Sequence, residues 1–509
     1  MELELDRTQL NGFETVLDTT VCHEETLEAI VPDAYPDIRT VCDTEGIVLL
    51  KRKEAQDGRA ECAGSVQAVI LYLPDGADGL RRMDVTLPFT CGVDHTGITS
   101  KCGVMVMPYL QAIETRLLNP RKVLVRVNLS IQFQVCAPVS TTVCGGVLEP
   151  ENAGVQQMSE RYETCVIACI QEKPFPYSDE VTLPGSKPEA ECLLKNRAAL
   201  RCGEAKVIGN KLIFKGDARV QLLYRSTEGG LCTAEFEIPF SQIMEISGAG
   251  EEATCEIQMV LTDLDCALEE GNGGRTFRIT MGLLAQAAVR DMRTIDMLTD
   301  VYSTSYDLTG ETQVYTLNQL LDHGEKEQTI REILETGTLA REVFDAYATI
   351  SGVTQNWEGE RLTLSADVQV TVLYQTEEGG YTSAVRSIPV SCPLELPHTG
   401  VCSCWCSCTS PVYATPTSGG IEVRLPVCFR YTAQEGHKVP SVTAVRLNED
   451  APRDHSALPS IVLRMVGPGE RLWDIAKAYG TTTCDIMQAN ALEEDAIPEG
   501  QLLLIPRKR

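Results

Sequence analysis

Cysteine is the residue type with the clearest potential for chemistry in this sequence. There are 21 cysteines, and the only dense group is Cys402, Cys404, Cys406 and Cys408, which lie two residues apart. Closely spaced thiolates can hold zinc, but the single intervening residue is shorter than the spacing of about two to four residues that zinc sites favour. The alternative is that these cysteines are free thiols buried as small apolar side chains.

No pattern typical of an active site is present. The sequence contains no H-E-x-x-H motif, and no phosphate-binding or nucleophile-elbow motif lies between a strand and a helix. The six histidines are scattered, at His23, His95, His323, His398, His437 and His455. We therefore expect a protein without catalytic activity, without a cofactor and without a bound metal.

The charge balance limits the partners. The chain has 44 Lys and Arg against 72 Asp and Glu, which gives a formal net charge of −28. Such acidity disfavours nucleic acids and anionic membrane surfaces, because both repel negative charge. The 43% hydrophobic and 23% charged residues are typical of folded domains, and 509 residues suggest roughly three to four of them.

The compartment is predicted from the N-terminus and the cysteines. The first residues, MELELDRTQLNGFETV, show neither a basic segment nor an apolar run, and no stretch approaches the ~20 apolar residues of a membrane span. We expect a protein that is kept in a reducing cytosol, where free thiols persist.

One pattern of about 150 residues recurs three times. Each copy has an alternating strand that ends in Leu-Tyr, a glycine-bearing turn and a second strand with Ile-Pro or Leu-Pro. The tyrosines, Tyr72, Tyr224 and Tyr374, are 152 and 150 residues apart. Period-two alternation on both sides of a glycine turn predicts a β-hairpin. A later alternating strand carries Arg126, Arg278 and Arg424 at matching outward positions, so each unit is predicted to be a half-buried antiparallel sheet.

The repeat also gives a reading of the cysteine cluster. Cys102, Cys255 and Cys402 occupy matching positions. Where the third copy then has Cys404 and Cys406, its siblings have Val, Ile or Met. This favours thiols on the core face of a strand over metal ligands.

The predicted fold is mainly β, with three tandem sandwich- or barrel-like repeats at 1–150, 151–304 and 305–434. A linker is expected at 435–460, because this stretch has prolines, mixed charge and no sustained periodicity. Residues 326–335 are predicted to form either a short helix or an extended cover. Pro426 suggests an edge strand.

The last fifty residues, 461–509, have a different pattern. Leu472, Ile475, Ala476 and Tyr479 recur at helical spacing and predict one buried stripe, and Gly480 suits the end of that helix. A second short helix ends near Asn490, and 501–506 reads as a closing strand. The predicted order is strand, helix, helix, strand.

This segment resembles the LysM module. The resemblance is carried by Pro468-Gly469, Leu472-Trp473, Ile475-Ala476, Tyr479-Gly480-Thr481, Asn490, Gly500-Gln501 and Ile505-Pro506. It implies an N-acetylglucosamine groove between the loop before the first helix and the loop at Ala496-Ile497-Pro498. Glu470 and Arg471 depart from the Asp and Thr of the family, and Glu is a poorer helix N-cap than Asp.

Trp473 and Lys477 lie one helical turn apart and off the buried stripe, so they can present an aromatic ring and a cation to a partner. The alternative is that Trp473 leans on the surface of its own module. Together with the loops, these residues form the candidate binding site for a partner protein or a glycan. Its members are Pro468, Gly469, Glu470, Arg471, Leu472, Trp473, Lys477, Asn490, Ala496, Ile497 and Pro498.

The three β repeats followed by one LysM-like module resemble the SPOCS-domain, SipL-like spore-coat morphogenesis proteins of clostridia. The resemblance implies a location in the mother-cell cytoplasm at the forespore surface, and a LysM module that docks to the coat basal-layer ATPase and other coat proteins. The leading hypothesis is therefore a non-enzymatic scaffold in spore coat or envelope assembly. The alternative is a peptidoglycan-binding protein of the cell wall or cortex.

Overall fold

The structure is a computed structural model that describes residues 1–76, 79–269, 271–408, 410–453 and 459–506. Within these ranges nearly all regular structure is antiparallel strand, apart from two short helices near the C-terminus and one 3-10 turn at Pro150–Ala153. The predicted mainly β fold is confirmed.

Each repeat has the same order of strands: a long first strand, a three-stranded sheet, a shorter strand and a long last strand. The first repeat consists of β1 (Leu5–Ile30), β2 (Ile38–Gln56), β3 (Arg59–Pro74), β4 (Arg81–Asp94), β5 (Gly103–Asn119) and β6 (Lys122–Val147). The second consists of β7 (Val155–Thr182), β8 (Ala190–Ile208), β9 (Lys211–Ser226), β10 (Leu231–Glu245), β11 (Thr254–Leu268) and β12 (Thr276–Ser303).

The third repeat has one extra short strand. It consists of β13 (Tyr306–Leu334), β14 (Ala340–Glu358), β15 (Arg361–Thr376), β16 (Tyr381–Glu395), β17 (Val401–Ser407), β18 (Tyr413–Thr417) and β19 (Gly420–Pro452). The C-terminal module consists of β20 (Ile461–Met465), α1 (Leu472–Tyr479), α2 (Thr483–Asn490) and β21 (Leu502–Pro506).

The predicted hairpins are present as β3–β4, β9–β10 and β15–β16. Tyr72, Tyr224 and Tyr374 are all buried at the end of the first hairpin strand. Gly229 and Gly379 in two of the turns have φ of 86°, a left-handed conformation that favours glycine.

The long strands join the repeats unequally. In each repeat the first strand pairs with the last, as β1–β6, β7–β12 and β13–β19. The first two repeats share one six-stranded sheet in the order β11-β12-β7-β1-β6-β5, while β13, β19, β17 and β18 form a separate sheet.

Equivalent residues of the three repeats meet at one buried point. In each three-stranded sheet the first strand has an irregularity, at Cys42, Leu194 or Phe344. These residues pack together with the leucines of the neighbouring strand, Leu71, Leu223 and Leu373. The repeats are therefore packed against one another through a shared apolar core.

A layer of buried charges lies beside this core. Lys195 forms ion pairs with Asp43 and, at 3.3 Å, with Asp345, and these three residues hold equivalent positions in the three repeats. The next equivalent set is Glu45, Arg197 and Tyr347, and Arg197 pairs with Glu45 at 3.2 Å and with Asp345. We call these six residues the central charge layer. Its ion pairs join the second repeat to both the first and the third.

Burial affects the two signs of charge in this layer differently. Burial raises the pKa of Glu45, and its two cationic neighbours oppose that effect only in part. Burial alone would lower the pKa of Lys195, but Asp43 and Glu45 hold it well above its usual range. The layer thus contains three acids and two bases, and burial favours the protonated form of Glu45.

Two predictions on local structure need correction. Residues 326–334 belong to β13, so the helical alternative is wrong and the extended one is right. Their tertiary pairing with β19 prevails over a weak helical spacing. Residues 435–452 belong to β19, so the linker expected at 435–460 is wrong over that part, and 454–458 lie outside the described residues.

The prolines and an irregularity explain why this strand was missed. Beyond Gln434, β19 has a partner on one side only, which lets Pro440 stay in an edge strand. The extra residue Thr443 interrupts the alternation of buried side chains. Pro426 lies between the segments of β19 that pair with β17 and β18, so it occupies a local gap in an otherwise internal strand.

Candidate functional site

The two predicted groove loops of the C-terminal module lie side by side. The amide of Val466 donates to the carbonyl of Gln501, and the amide of Gly500 donates to the carbonyl of Val466, both at 2.9 Å. Pro468 and Gly469 on one loop are exposed. On the other loop Ala496 and Pro498 are exposed and Ile497 is half-buried against the core of the module. The geometry thus brings the predicted loop residues together at an open surface.

Glu470 and Arg471 have roles that differ from the expected cap. The N-cap of α1 is Arg471, whose side chain caps no amide and instead pairs with Asp474 at 2.9 Å. The Glu470 carboxylate accepts from the amide of Gly467 at 2.9 Å and pairs with Arg464. Glu470 therefore closes its own loop, which a longer side chain does better than Asp.

Two of the candidate site residues are engaged in the fold of the module. Leu472 is buried in its core with Ile475 and Ala476, which confirms the predicted helical stripe. The Asn490 side chain donates to the carbonyls of Ile486 and Leu504, at 2.7 and 2.6 Å, and accepts from the amide of Leu504 at 2.7 Å. It ties the end of α2 to β21.

Trp473 and Lys477 contact the second repeat. The indole Nε1 of Trp473 donates to Asp300 Oδ2 at 2.7 Å. The Nζ of Lys477 donates to both oxygens of the same carboxylate, at 2.6 and 2.8 Å. The ring of Tyr302 stands edge-on to the Trp473 ring, with centroids 4.9 Å apart. The predicted aromatic and cation are thus presented, but to β12 of the same chain.

An exposed apolar surface on the module escaped the sequence analysis. Ile461, Leu463 and Met465 on β20 are 58%, 64% and 65% exposed, and Leu502 on β21 is 58% exposed. Cross-strand pairing places all four on one face of the two-stranded sheet, opposite the helices. We call this surface the apolar sheet face. The sequence feature that could have predicted this surface is the near-continuous apolar run in both strands. A sheet that is buried on one face only needs an apolar residue at every second position.

The cysteine cluster lies in the core of the third repeat. Cys402, Cys404 and Cys406 are buried in β17 and pack within its apolar cluster. Burial raises the pKa of Cys402 and Cys408 to about 12, and it raises those of Cys404 and Cys406 as well. Among the described residues no group of His, Cys, Asp and Glu has the arrangement of a metal site. The cysteines act here as packing residues.

The matching arginines lie on exposed sheet surfaces. Arg126 pairs with Glu114 at 3.0 Å and Arg278 with Glu269 at 3.2 Å. Since the side chains of Arg126 and Arg278 are at least half exposed, these arginines belong to solvated faces.

A cavity of about 320 Å³ lies between the three repeats, beside the central charge layer. Glu45 and Arg197 are among its charged lining residues, and both are engaged in ion pairs. Most of its remaining lining is apolar, with contributions from β5, β11 and β14. The cavity therefore reads as a packing gap between repeats.

The comparisons with known proteins agree with this architecture. Residues 37–118 and 189–269 match the family model for the SipL SPOCS domain, and residues 465–506 match the LysM domain. No curated protein and no solved structure matches the chain significantly. The chain therefore carries two SPOCS domains and one C-terminal LysM domain.

The matched regions cover strands β2–β5 and β8–β11. Strands β14–β17 of the third repeat have the same topology. SPOCS and LysM domains are binding and scaffold domains, and together they support a role in the spore coat or in cell-wall binding. Among the described residues, no helix has the length and apolar character needed to cross a membrane.

Proposed function

We propose that this SPOCS- and LysM-containing chain is a non-enzymatic adaptor in spore coat or spore envelope assembly. Its three repeats, with boundaries near 1–150, 151–304 and, with all of β19 included, 305–452, serve as the scaffold. The LysM domain docks to a coat morphogenetic protein, the basal-layer ATPase. The site of action is the mother-cell cytoplasm at the forespore surface.

The apolar sheet face carries the proposal. Ile461, Leu463, Met465 and Leu502 form one contiguous apolar surface. Contiguous exposed apolar patches mark interaction sites, and the fully buried core of a protein–protein interface is more apolar than the rest of a protein surface.

The distribution of charge also favours a division of labour. Residues 461–509 contain six basic and seven acidic side chains, so almost all of the net charge of −28 lies on the repeats. The negative charges on the repeats make the repeats of different copies of the chain repel one another. The nearly neutral LysM domain can approach an acidic or neutral partner closely. A basic partner would instead meet the repeats.

The test is capture of the coat ATPase by the purified full-length chain. Leu463→Arg places a charge in the middle of the apolar sheet face, and we expect it to weaken capture at least about tenfold. The matched control is Val314→Arg, because Val314 is a similarly exposed apolar residue on β13 of the scaffold. Equal capture by wild type and Leu463→Arg would contradict the proposal.

A second candidate is binding of peptidoglycan through the loops. The observation that favours it is that Pro468, Gly469, Ala496 and Pro498 remain exposed on two loops whose bases are joined by hydrogen bonds. Gly469 has φ of 70°, so Gly469→Val would strain the loop. Sedimentation with purified peptidoglycan that is lost in Gly469→Val but kept in Leu463→Arg would favour this candidate over protein docking.

A further inference from the structure

The contact between the LysM domain and β12 is centred on one carboxylate. Asp300 accepts four hydrogen bonds, one from Trp473, two from Lys477 and one from its neighbour, the amide of Val301. Burial alone would raise the pKa of Asp300, but the bonds from Lys477 and Trp473 hold it below its usual range. The carboxylate is therefore recognised in its charged form by a matched indole and ammonium.

Tyr302 completes this contact as an aromatic anchor. Its side chain is only 3% exposed and packs with the core residues of the LysM domain, among them Val466 and Leu472. Its hydroxyl donates to the carbonyl of Thr481 at 2.7 Å. An acidic residue and an aromatic residue two positions later thus fill one face of the domain. We call Trp473, Lys477 and the Thr481 carbonyl the Asp-x-Tyr receptor.

A local irregularity of β12 aims these two side chains at the LysM domain. The pairing with β7 skips Thr299, so Asp300 and Tyr302 lie on one face and Leu298 and Val301 on the other. The second pair packs into the core between repeats. The extra residue lets one short segment serve both the scaffold core and the module.

The first and third repeats have the same irregularity without the same side chains. Their skipped residues are Gly145 and Thr443. The positions that correspond to Asp300 and Tyr302 are Gly146 and Leu148 in the first repeat, and Ala444 and Arg446 in the third. The acidic and aromatic pair is therefore specific to the second repeat.

The contact is also of a kind that opens. The Lys477 and Asp300 side chains are 43% and 27% exposed, and the polar contacts consist of this carboxylate and the single hydrogen bond from Tyr302 to Thr481. Small, polar contacts between domains of one chain resemble transient interfaces. A partly solvated contact of this kind can open by motion of one domain relative to the other.

We propose that the Asp-x-Tyr receptor binds a strand with an aspartate and a tyrosine two residues later, and that β12 occupies it as an internal ligand. A partner strand with this pattern must displace β12 from the receptor. Docking of β12 therefore weakens the binding of the partner. The inference deepens the proposed function, because it names the chemistry of a partner strand. It uses a different surface from the apolar sheet face, so the two can fail separately.

The test uses a labelled peptide of residues 296–304, which contains Asp300 and Tyr302, and the full-length chain. Asp300→Lys releases the LysM domain by repelling Lys477. Fluorescence anisotropy should show peptide binding at least about tenfold tighter than to wild type, because internal docking lowers the fraction of accessible receptor. Asp296→Lys is the matched control, since it makes the same charge change on the same strand where Asp296 pairs with Arg161.

Two further proteins and one further measurement make the result decisive. Adding Trp473→Ala to Asp300→Lys should abolish peptide binding. Hydrogen exchange should show faster exchange in α1 of Asp300→Lys, with β8 unchanged as evidence of an intact scaffold. Equal peptide binding to wild type and Asp300→Lys, or none to Asp300→Lys, would overturn the inference. Leu463→Arg should leave peptide binding to Asp300→Lys intact, so loss of ATPase capture alone bears only on the proposed function.

Discussion

Two acid–base contacts hold separate parts of this chain together, and they differ in burial. The central charge layer joins the three repeats, and the side chains of Asp43, Lys195 and Asp345 are at most 6% exposed. The contact of Asp300 with Trp473 and Lys477 joins the LysM domain to the second repeat and remains partly solvated. Similar chemistry is thus shielded from water in the first of these joints and partly open to competition from water in the second.

The largest effect is expected from removing the cation at the centre of the buried joint. Lys195→Met leaves Asp43, Glu45 and Asp345 with less compensation inside the protein. We expect a loss of about 3–5 kcal/mol in the free energy of unfolding, measured by guanidinium denaturation. Lys122→Met is the control, because its pair with Glu28 is on the surface. A loss as small as that of the control would mean that the layer does not hold the repeats together.

A smaller effect is expected from pH through Glu45. Because its pKa is raised in the folded protein, the stabilisation from its proton is complete below the unfolded pKa and is lost as pH rises through the folded pKa. Between those two values the free energy of unfolding of wild type should fall by about 1.4 kcal/mol per pH unit relative to Glu45→Gln. Parallel pH profiles of the two proteins would show that Glu45 is ionised in the fold.

Salt should separate the two joints further. Raising NaCl from 0.1 to 1 M shortens the Debye length from about 10 to about 3 Å, which screens exposed pairs far more than buried ones. Hydrogen exchange should therefore accelerate in α1 of the LysM domain and remain unchanged in β8, which carries Lys195. Equal acceleration in both elements would mean that the two joints do not differ in their access to salt.

The smallest effect is expected on the solvated sheet faces. Arg126 and Glu114 form a pair in which both side chains are at least half exposed. Arg126→Ala should leave the midpoint of thermal unfolding unchanged within error. A clear drop would indicate that this face is covered in the folded protein.

The sequence allowed the strands, the hairpins and the LysM-like module to be predicted, because their signals are local. Alternation around Tyr72 and the helical stripe at Leu472 each lie within one short segment. The long strand β19 was missed in part, since Pro440 and the irregularity at Thr443 obscure its period. Its identity depends on the partner strand β13, which lies far away in the sequence.

The candidate site was predicted less completely. Trp473 and Lys477 were identified as presented side chains, but their contact with Asp300 was not. Asn490 was included for its place in the motif, and the structure shows it fastening α2 to β21. The apolar sheet face could not be predicted from the sequence, because a strand that is apolar on both faces is expected to be buried on both. Only the structure shows that nothing covers the second face within the described residues.

By itself the sequence determined the mainly β character, the threefold repeat and the module at the end, since periodicity and turn chemistry act between residues close in the chain. Only the tertiary structure decided that Asp43, Lys195 and Asp345 share one buried layer. It also decided that Asp300 accepts a hydrogen bond from Trp473, which lies 173 residues away in the sequence. These contacts depend on how whole repeats pack. Contacts between residues so far apart in the chain leave no periodic pattern in the sequence. The charged residues that join the repeats and the module therefore cannot be told from other charged residues by sequence alone.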